Sequence, residues 1–141
     1  MRNHDNIYIA GRFDRKEELR GYADTLTSLG YYVTSTWLYG THECDGECTT
    51  DELAAFAEED LLDIMNADVL LAFTEDKLSS GYHSGGRHVE LGFALGQGID
   101  VAIIGPPENV FHHHKDVRTF DSFDALMESR AAKASADGEK E

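Results

Sequence analysis

The run ADVLLAF, Ala67 to Phe73, narrows the fold most, because a strand that is apolar along its length has to be covered on both faces. Parallel sheets with helices on both sides meet that demand. The rest of the chain alternates in the same sense. IYIA, Ile7 to Ala10, predicts a strand, and a helix over roughly Arg15 to Leu29 follows it and stops at Gly30. YYVTST, Tyr31 to Thr36, predicts a second strand, and a polar loop rich in Gly, Asp and Thr then runs to Thr50, suited to fold over something. Asp51 is placed to cap the next helix, whose apolar stripe is Leu53, Phe56, Ala57, Leu61 and Ile64. After Phe73 come a glycine-rich loop, a helix containing Glu90, the strand DVAIIG at Asp100 to Gly105, a Pro-Pro turn and a last helix from about Ser122 to Lys133. The pattern predicts an α/β fold: a small, doubly wound, Rossmann-like and mostly parallel sheet of about five strands flanked by helices.

A chain of 141 residues with 41% hydrophobic content suits one core, so the expectation is a single domain over 1–133 followed by a frayed tail over 134–141. The 27 acidic residues outnumber the 12 basic ones, and a net charge of −15 repels a polyanion. A nucleic acid polymer is therefore excluded as a partner, while a small phosphorylated ligand is allowed if positive groups gather locally. No apolar run approaches bilayer length and nothing resembles a secretory leader, which predicts a soluble, cytoplasmic protein with no membrane partner. Cys44 and Cys48, in THECDGEC, are too few for a disulfide framework or a closed zinc site. A reduced pair in a loop is expected, the alternative being a metal held together with His42.

The stretch SSGYHSGGRHVELGFALGQG, Ser79 to Gly98, carries the chemistry. Ser84 is suited to cap the helix, Gly85 and Gly86 let a ligand approach the backbone, and Arg87 adds positive charge beside the free N–H groups. Glu90 then falls about one turn inside a helix whose mouth suits an anion. The alternative is a glycine-rich loop that only begins a helix. In such sheets ligands bind beyond the carboxyl ends of the strands, which brings in Gly11 for tight backbone passage and Arg12 for an anion, against the alternative of an ordinary turn with a solvated arginine. Asp60 occupies a stripe position where an apolar residue is expected, so it is paired, working, or at the stripe's edge in water. Burial raises a carboxyl pKa, whereas Glu90 near a helix N-terminus is expected to stay ionised. Two carboxyls pushed in opposite directions suggest glycosidic chemistry.

IYIAGRF, AEEDLLDIMNADVLLAF and GGRHVELGFALGQGIDVAIIGP together resemble the nucleoside 2-deoxyribosyltransferase superfamily, over about Ile7 to His112. The strongest element is D-x-x-x-I-x-x-A-D-V followed by V-E-L-G-F-A-L. The resemblance implies cleavage or transfer of an N-glycosidic bond, with Glu90 as the nucleophile, Asp60 as the acid that contacts the base, and Tyr8 orienting the glutamate. It implies Ser84 where the transferases of unphosphorylated nucleosides carry an aspartate, which looks like the branch that hydrolyses nucleoside 5′-monophosphates. Ser84, Gly85, Gly86, Arg87 and Arg12 would then hold the phosphate. A homo-oligomer, a dimer or higher with shared sites, is implied too, with Asn109 and His112 reaching a neighbouring subunit's site; a surface loop is the alternative for ENVFHHH. Phe13, Trp37 and Phe73 are candidates to stack on the base or to sit in the core. No metal or organic cofactor is needed for any step. Base exchange between deoxynucleosides and a non-catalytic nucleotide-binding module are the other two readings.

Overall fold

The computed structural model describes residues 1–40, 42–79 and 85–139, with backbone alone from 133 onward. Five strands, β1 (Asn6–Ala10), β2 (Tyr32–Val33), β3 (Val69–Phe73), β4 (Asp100–Ile104) and β5 (Val117–Phe120), form one sheet in the order β2-β1-β3-β4-β5. Every pairing is parallel, with Ile7 opposite Val69 and Val69 opposite Asp100. All five residues of β3 are buried. Helices α1 (Lys16–Ser28) and α4 (Phe123–Glu139) share one face, where the rings of Tyr22 and Phe123 stack 4.5 Å apart. Helices α2 (Thr50–Met65) and α3 (Gly86–Gly96) contact each other and carry the carboxylates that reach β1. This is the doubly wound α/β architecture that the strand and helix alternation predicts.

Helix α1 buries Leu19, Ala23 and Leu26, spaced to fall on one side, and α3 buries Leu91 and Ala94 in the same way. Each buried leucine contributes on the order of 2 kcal/mol of apolar transfer. In the strand order the chain runs outward from β1 to β2 and then returns across β1 to β3, so a crevice opens between the carboxyl ends of β1 and β3. The Gly11 turn and the start of α3 both border it.

Several elements depart from the sequence expectations. Residues Tyr31 to Thr36 do not stay in a strand: β2 ends at Val33, and Thr36–Tyr39 forms a 3-10 turn. Side chains replace the ladder there, since Ser35 Oγ accepts from the Ile9 N–H and Trp37 Nε1 donates to the Ile9 carbonyl at 2.9 Å. Trp37 and Phe73 are buried core residues, not free stacking surfaces. The helix cap is Thr49, not Asp51. Thr49 Oγ1 accepts from the Glu52 N–H at 3.1 Å while Glu52 Oε1 accepts from the Thr49 N–H at 3.0 Å, a reciprocal box written in the sequence as T-x-x-E. Of the α2 stripe only Ile64 is buried; Leu53, Ala57 and Leu61 are exposed and Phe56 is half-buried. Cys44 and Cys48 are joined in a disulfide rather than reduced, their Cα atoms 5.4 Å apart, which four-residue spacing permits when the loop turns back on itself. Strand β5 was hidden because VRTF is short and only its first residue is buried. The last helix keeps a helical backbone to Glu139, past the start of the expected tail, over an alanine-rich stretch.

Thr49→Ala should destabilise the protein by about 1 kcal/mol in urea unfolding, while Thr49→Ser keeps the bond and the stability. Equal unfolding midpoints for Thr49→Ala and the unchanged chain would remove the box from the account of α2.

Candidate active site

The crevice between β1 and β3 holds three of the sequence candidates in one acidic pocket. Tyr8, on β1 and fully buried, donates its hydroxyl to Glu90 Oε2. Glu90 is the fifth residue of α3, past the first turn, where the N–H groups of the helix are already engaged. The helix mouth therefore does little for its charge. Burial pushes the Glu90 carboxyl up to about 7, against the opposing pull of the Tyr8 hydrogen bond. Asp60, on α2, is pushed up to about 8, first by burial and then by the charges of Glu90, Asp63 and Glu59. The expectation of one raised and one ordinary carboxyl is thus corrected: both rise, because both lie in the same desolvated, acidic place. Tyr8 is raised far above the ordinary phenol range by burial and by Glu90 and Asp60, so it stays a hydroxyl.

A cleft of about 440 Å³ leads to Glu90 and is lined by Gly11, Arg12, Phe13, Asp14, Gly86 and Arg87. Five of those lining residues are sequence candidates. A Cβ at Gly11 would stand 2.7 Å from Leu19 Cδ1. Phe13 is half exposed and lies beside the cleft with Lys16 Nζ 4.9 Å from its ring centre. Gly85 and Gly86 face open space, nothing lying within 4 Å of where a Cβ would be. The cap position of α3 is Gly85, one residue later than expected, and it offers no side chain. Ser84 lies outside the described residues.

The positive charges at this mouth have partners. Arg87 is buried and grips Glu108 through two nitrogens, with Nε 3.2 Å from Oε2. The sequence placed that charge beside a ligand; the structure pairs it with a carboxylate whose side chain is only 2% exposed. Arg12 reaches Asp14 at 2.7 Å, and Glu75 lies 3.9 Å from its Nε. His112 sits inside its own chain. It is 2% exposed, its Nδ1 accepts from the Glu108 N–H at 3.0 Å, and burial holds its pKa below the usual range. Within the chain it braces the Glu108 turn. Asn109 caps the 3-10 turn Val110–His113, accepting from Phe111 and His112, and its amide lies 3.3 Å from His88 Nδ1.

Sequence reasoning missed Glu108, Asp63 and the place of His42 in the site. Thr36 ties α2 down by donating its backbone N–H to Asp63 at 3.1 Å and its hydroxyl to Glu59 and Asp63. Asp63 follows Asp60 at helical spacing, a signal the sequence did carry; Glu108 follows two prolines and carries none. Among the described residues no group of three or more His, Cys, Asp or Glu is placed to hold a metal ion, and no helix is long and apolar enough to cross a membrane.

No protein-family model matches the chain, and no curated protein matches it by sequence. Solved structures do. A 2-deoxyribosyltransferase from the psychrotolerant bacterium Bacillus psychrosaccharolyticus superposes with a TM-score of 0.65 at 21% identity, over 86% of this chain and 89% of that one. The CMP N-glycosidase BcmB of Clostridium botulinum gives 0.55 at 15% identity, over 90% and 98%. A conserved protein from Enterococcus faecalis gives 0.53 at 14%, over 88% and 95%. The chain shares their fold along most of its length.

Raised carboxyls make stability fall with pH. Asp60 and Glu90 hold protons in the folded state that the unfolded chain has already lost, between the ordinary carboxylate range and about 8. Asp60→Asn should therefore raise the Tm well above pH 8 and change it little near the bottom of the ordinary carboxylate range, as read by thermal unfolding at several pH values. A gain independent of pH would show that Asp60 is not held as a raised acid.

Proposed function

We propose that this protein hydrolyses the N-glycosidic bond of nucleoside 5′-monophosphates, the 2′-deoxy forms first among them, and releases the free base. The observation that carries this reading is the Tyr8 hydroxyl bound to Glu90, with the protonation-prone Asp60 in the same pocket. Nucleophile and acid are the two groups that such a cleavage needs, and neither a water-activating metal nor a redox group enters it. The motifs that resemble the nucleoside 2-deoxyribosyltransferase superfamily are the ones that supply these residues, and the shared fold supports the same assignment.

The steps follow from the positions. Glu90 in its ionised form attacks C1′ as the bond to the base loosens through an oxocarbenium-like transition state. Asp60 gives its proton to the departing base, and a glycosyl ester of Glu90 forms. Water then takes C1′ from the ester and releases Glu90 as a carboxylate. Tyr8 keeps the carboxylate aimed and favours its charged form. The glycines at the α3 mouth leave room for the sugar's phosphate to approach the backbone, with Ser84, Arg12 and Arg87 beside them in the sequence or the cleft.

A second reading, exchange of bases on unphosphorylated deoxynucleosides, is favoured by one observation: Arg87 and Arg12 both already carry carboxylate partners. In that case the mouth holds a neutral sugar hydroxyl, and a second base intercepts the ester before water does.

Chromatography of free base after incubation with paired nucleosides and 5′-monophosphates, with and without an acceptor base, separates these. Release restricted to unphosphorylated substrates would overturn the phosphate assignment; tight binding with no release from any substrate would leave a binding module. Glu90→Ala should lower kcat by roughly a thousand-fold or more, since no residual binding replaces a covalent step. The pH profile of kcat/KM should be a narrow bell. It rises as Glu90 ionises near 7 and falls as Asp60 loses its proton near 8. A flat profile across that range would remove both roles.

A further inference from the structure

The loop that enters α2 brings an imidazole onto the acid of the site. His42 Nε2 stands 3.3 Å from Asp60 Oδ1, and its ring leans on Phe56 with centroids 4.6 Å apart. Both of those atoms are buried and neither makes a hydrogen bond of good geometry. Two desolvated polar atoms facing each other at that distance need only a small rotation to bond, and leaving them unbonded is costly. What keeps them there lies two residues further on. Cys44 is joined to Cys48, which closes the loop on itself, and Glu43 reaches Lys16 Nζ on α1 at 3.4 Å. The far end of the loop runs into the Thr49 capping box. His42 is thus tethered to α1 on one side and to the start of α2 on the other.

We propose that His42 is a positioning residue for Asp60, orienting its carboxyl and passing protons between it and solvent, and that the Cys44–Cys48 bridge holds the imidazole in reach. This rests on the N-glycosidase reading of the pocket. When Asp60 has given its proton to the base it becomes a carboxylate among Glu59 and Asp63 of α2, Glu90 of α3 and Tyr8 of β1, surroundings that resist its charge. The Nε2 proton of His42 then moves to Asp60 Oδ1 as a solvent proton arrives at Nδ1, and the neutral imidazole exchanges back to its Nε2–H tautomer through solvent before the next turnover. The proton of the water that opened the ester goes to solvent, so the count closes. His42 itself faces Glu59, Asp63 and Lys16, and burial favours its neutral form, which is the form that can relay. At 10% side-chain exposure it keeps a narrow path to water.

The test pairs a titration with kinetics in the full chain. Carbon NMR of the aspartate carboxyls, in the unchanged protein and in His42→Ala, reports the Asp60 midpoint without any substrate. The midpoint should move, with the fold confirmed by the rest of the spectrum. In base release, His42→Ala should lower kcat by roughly ten- to a hundred-fold with KM little changed and the alkaline limb displaced. His42→Gln, which fills the space and can hydrogen-bond but cannot relay, should likewise keep the fold and KM while kcat stays low. The double variant Cys44→Ser/Cys48→Ser should lower kcat several-fold and leave the shape of the pH profile unchanged. An Asp60 midpoint identical with and without His42 overturns the proposal whatever the kinetics show, as does full activity in His42→Gln. A displaced midpoint in a protein that releases base from no substrate supports the pair and counts instead against the N-glycosidase reading. Unchanged kcat in the cysteine variant removes the bridge from it.

Discussion

A carboxylate buried against a tyrosine is the constraint around which the rest of this molecule is arranged. Glu90 leaves water on joining α3 to β1, and that burial pushes its carboxyl up to about 7 against the pull of the Tyr8 donor. The Tyr8 hydroxyl offsets part of that cost and fixes which way the carboxyl points. Each pKa unit separating the two forms is worth about 1.4 kcal/mol, so a hydrogen bond to the charged form changes how much of Glu90 is ionised at neutral pH. Tyr8 can supply that bond because β1 is pinned in place by Ser35 and Trp37, whose side chains take over the Ile9 peptide where the neighbouring strand ends. The early end of β2 and the orientation of Glu90 are thus parts of one arrangement.

The acidity of the chain reappears at the mouth of the site. Arg87 is neutralised by Glu108, itself braced by His112, and Arg12 is shared between Asp14 and Glu75. An incoming anion meets cations whose charge is already balanced, and its binding has to compete with those pairs. The buried Arg87–Glu108 pair stabilises little beyond what it costs to desolvate, but it holds geometry. Here the geometry held is the first turn of α3, one turn ahead of Glu90.

How much of this could be read from the residues follows from which interactions are periodic. Strands β1, β3 and β4 were legible because burial on both faces writes itself as unbroken apolar runs, and α1 and α3 because their buried residues recur at helical spacing. Tyr8, Asp60 and Glu90 were found together because their motifs are local and the resemblance was specific. Contacts between segments far apart in the chain were not legible. Nothing in the sequence around Glu108 announces Arg87, and nothing near His42 announces Asp60. The ionisation of Glu90 was misjudged for a related reason: spacing gives the distance to the helix mouth but not the depth of burial, and burial dominates. The α2 stripe misled in the opposite way, because helical periodicity predicts an apolar face but not what covers it.

That last point bears on how the two halves of the site are held. Glu90 rides on α3, which is fixed by the buried side chains of Leu91 and Ala94. Asp60 rides on α2, where Ile64 is the one fully buried side chain and Leu53, Leu61, Leu62 and Met65 face outward. Apolar packing therefore positions Glu90, while Asp60 depends on polar ties: Thr36 to Glu59 and Asp63, the Thr49 box, and the His42 loop. Elements with few buried apolar contacts open more readily than those with many. The Asp60 side of the crevice is then the side that opens more readily, while the Tyr8 and Glu90 side is held by packing. On the N-glycosidase reading proposed above, a firmly held Glu90 and a more compliant Asp60 suit a reaction in which the sugar is held at one carbon while the base departs.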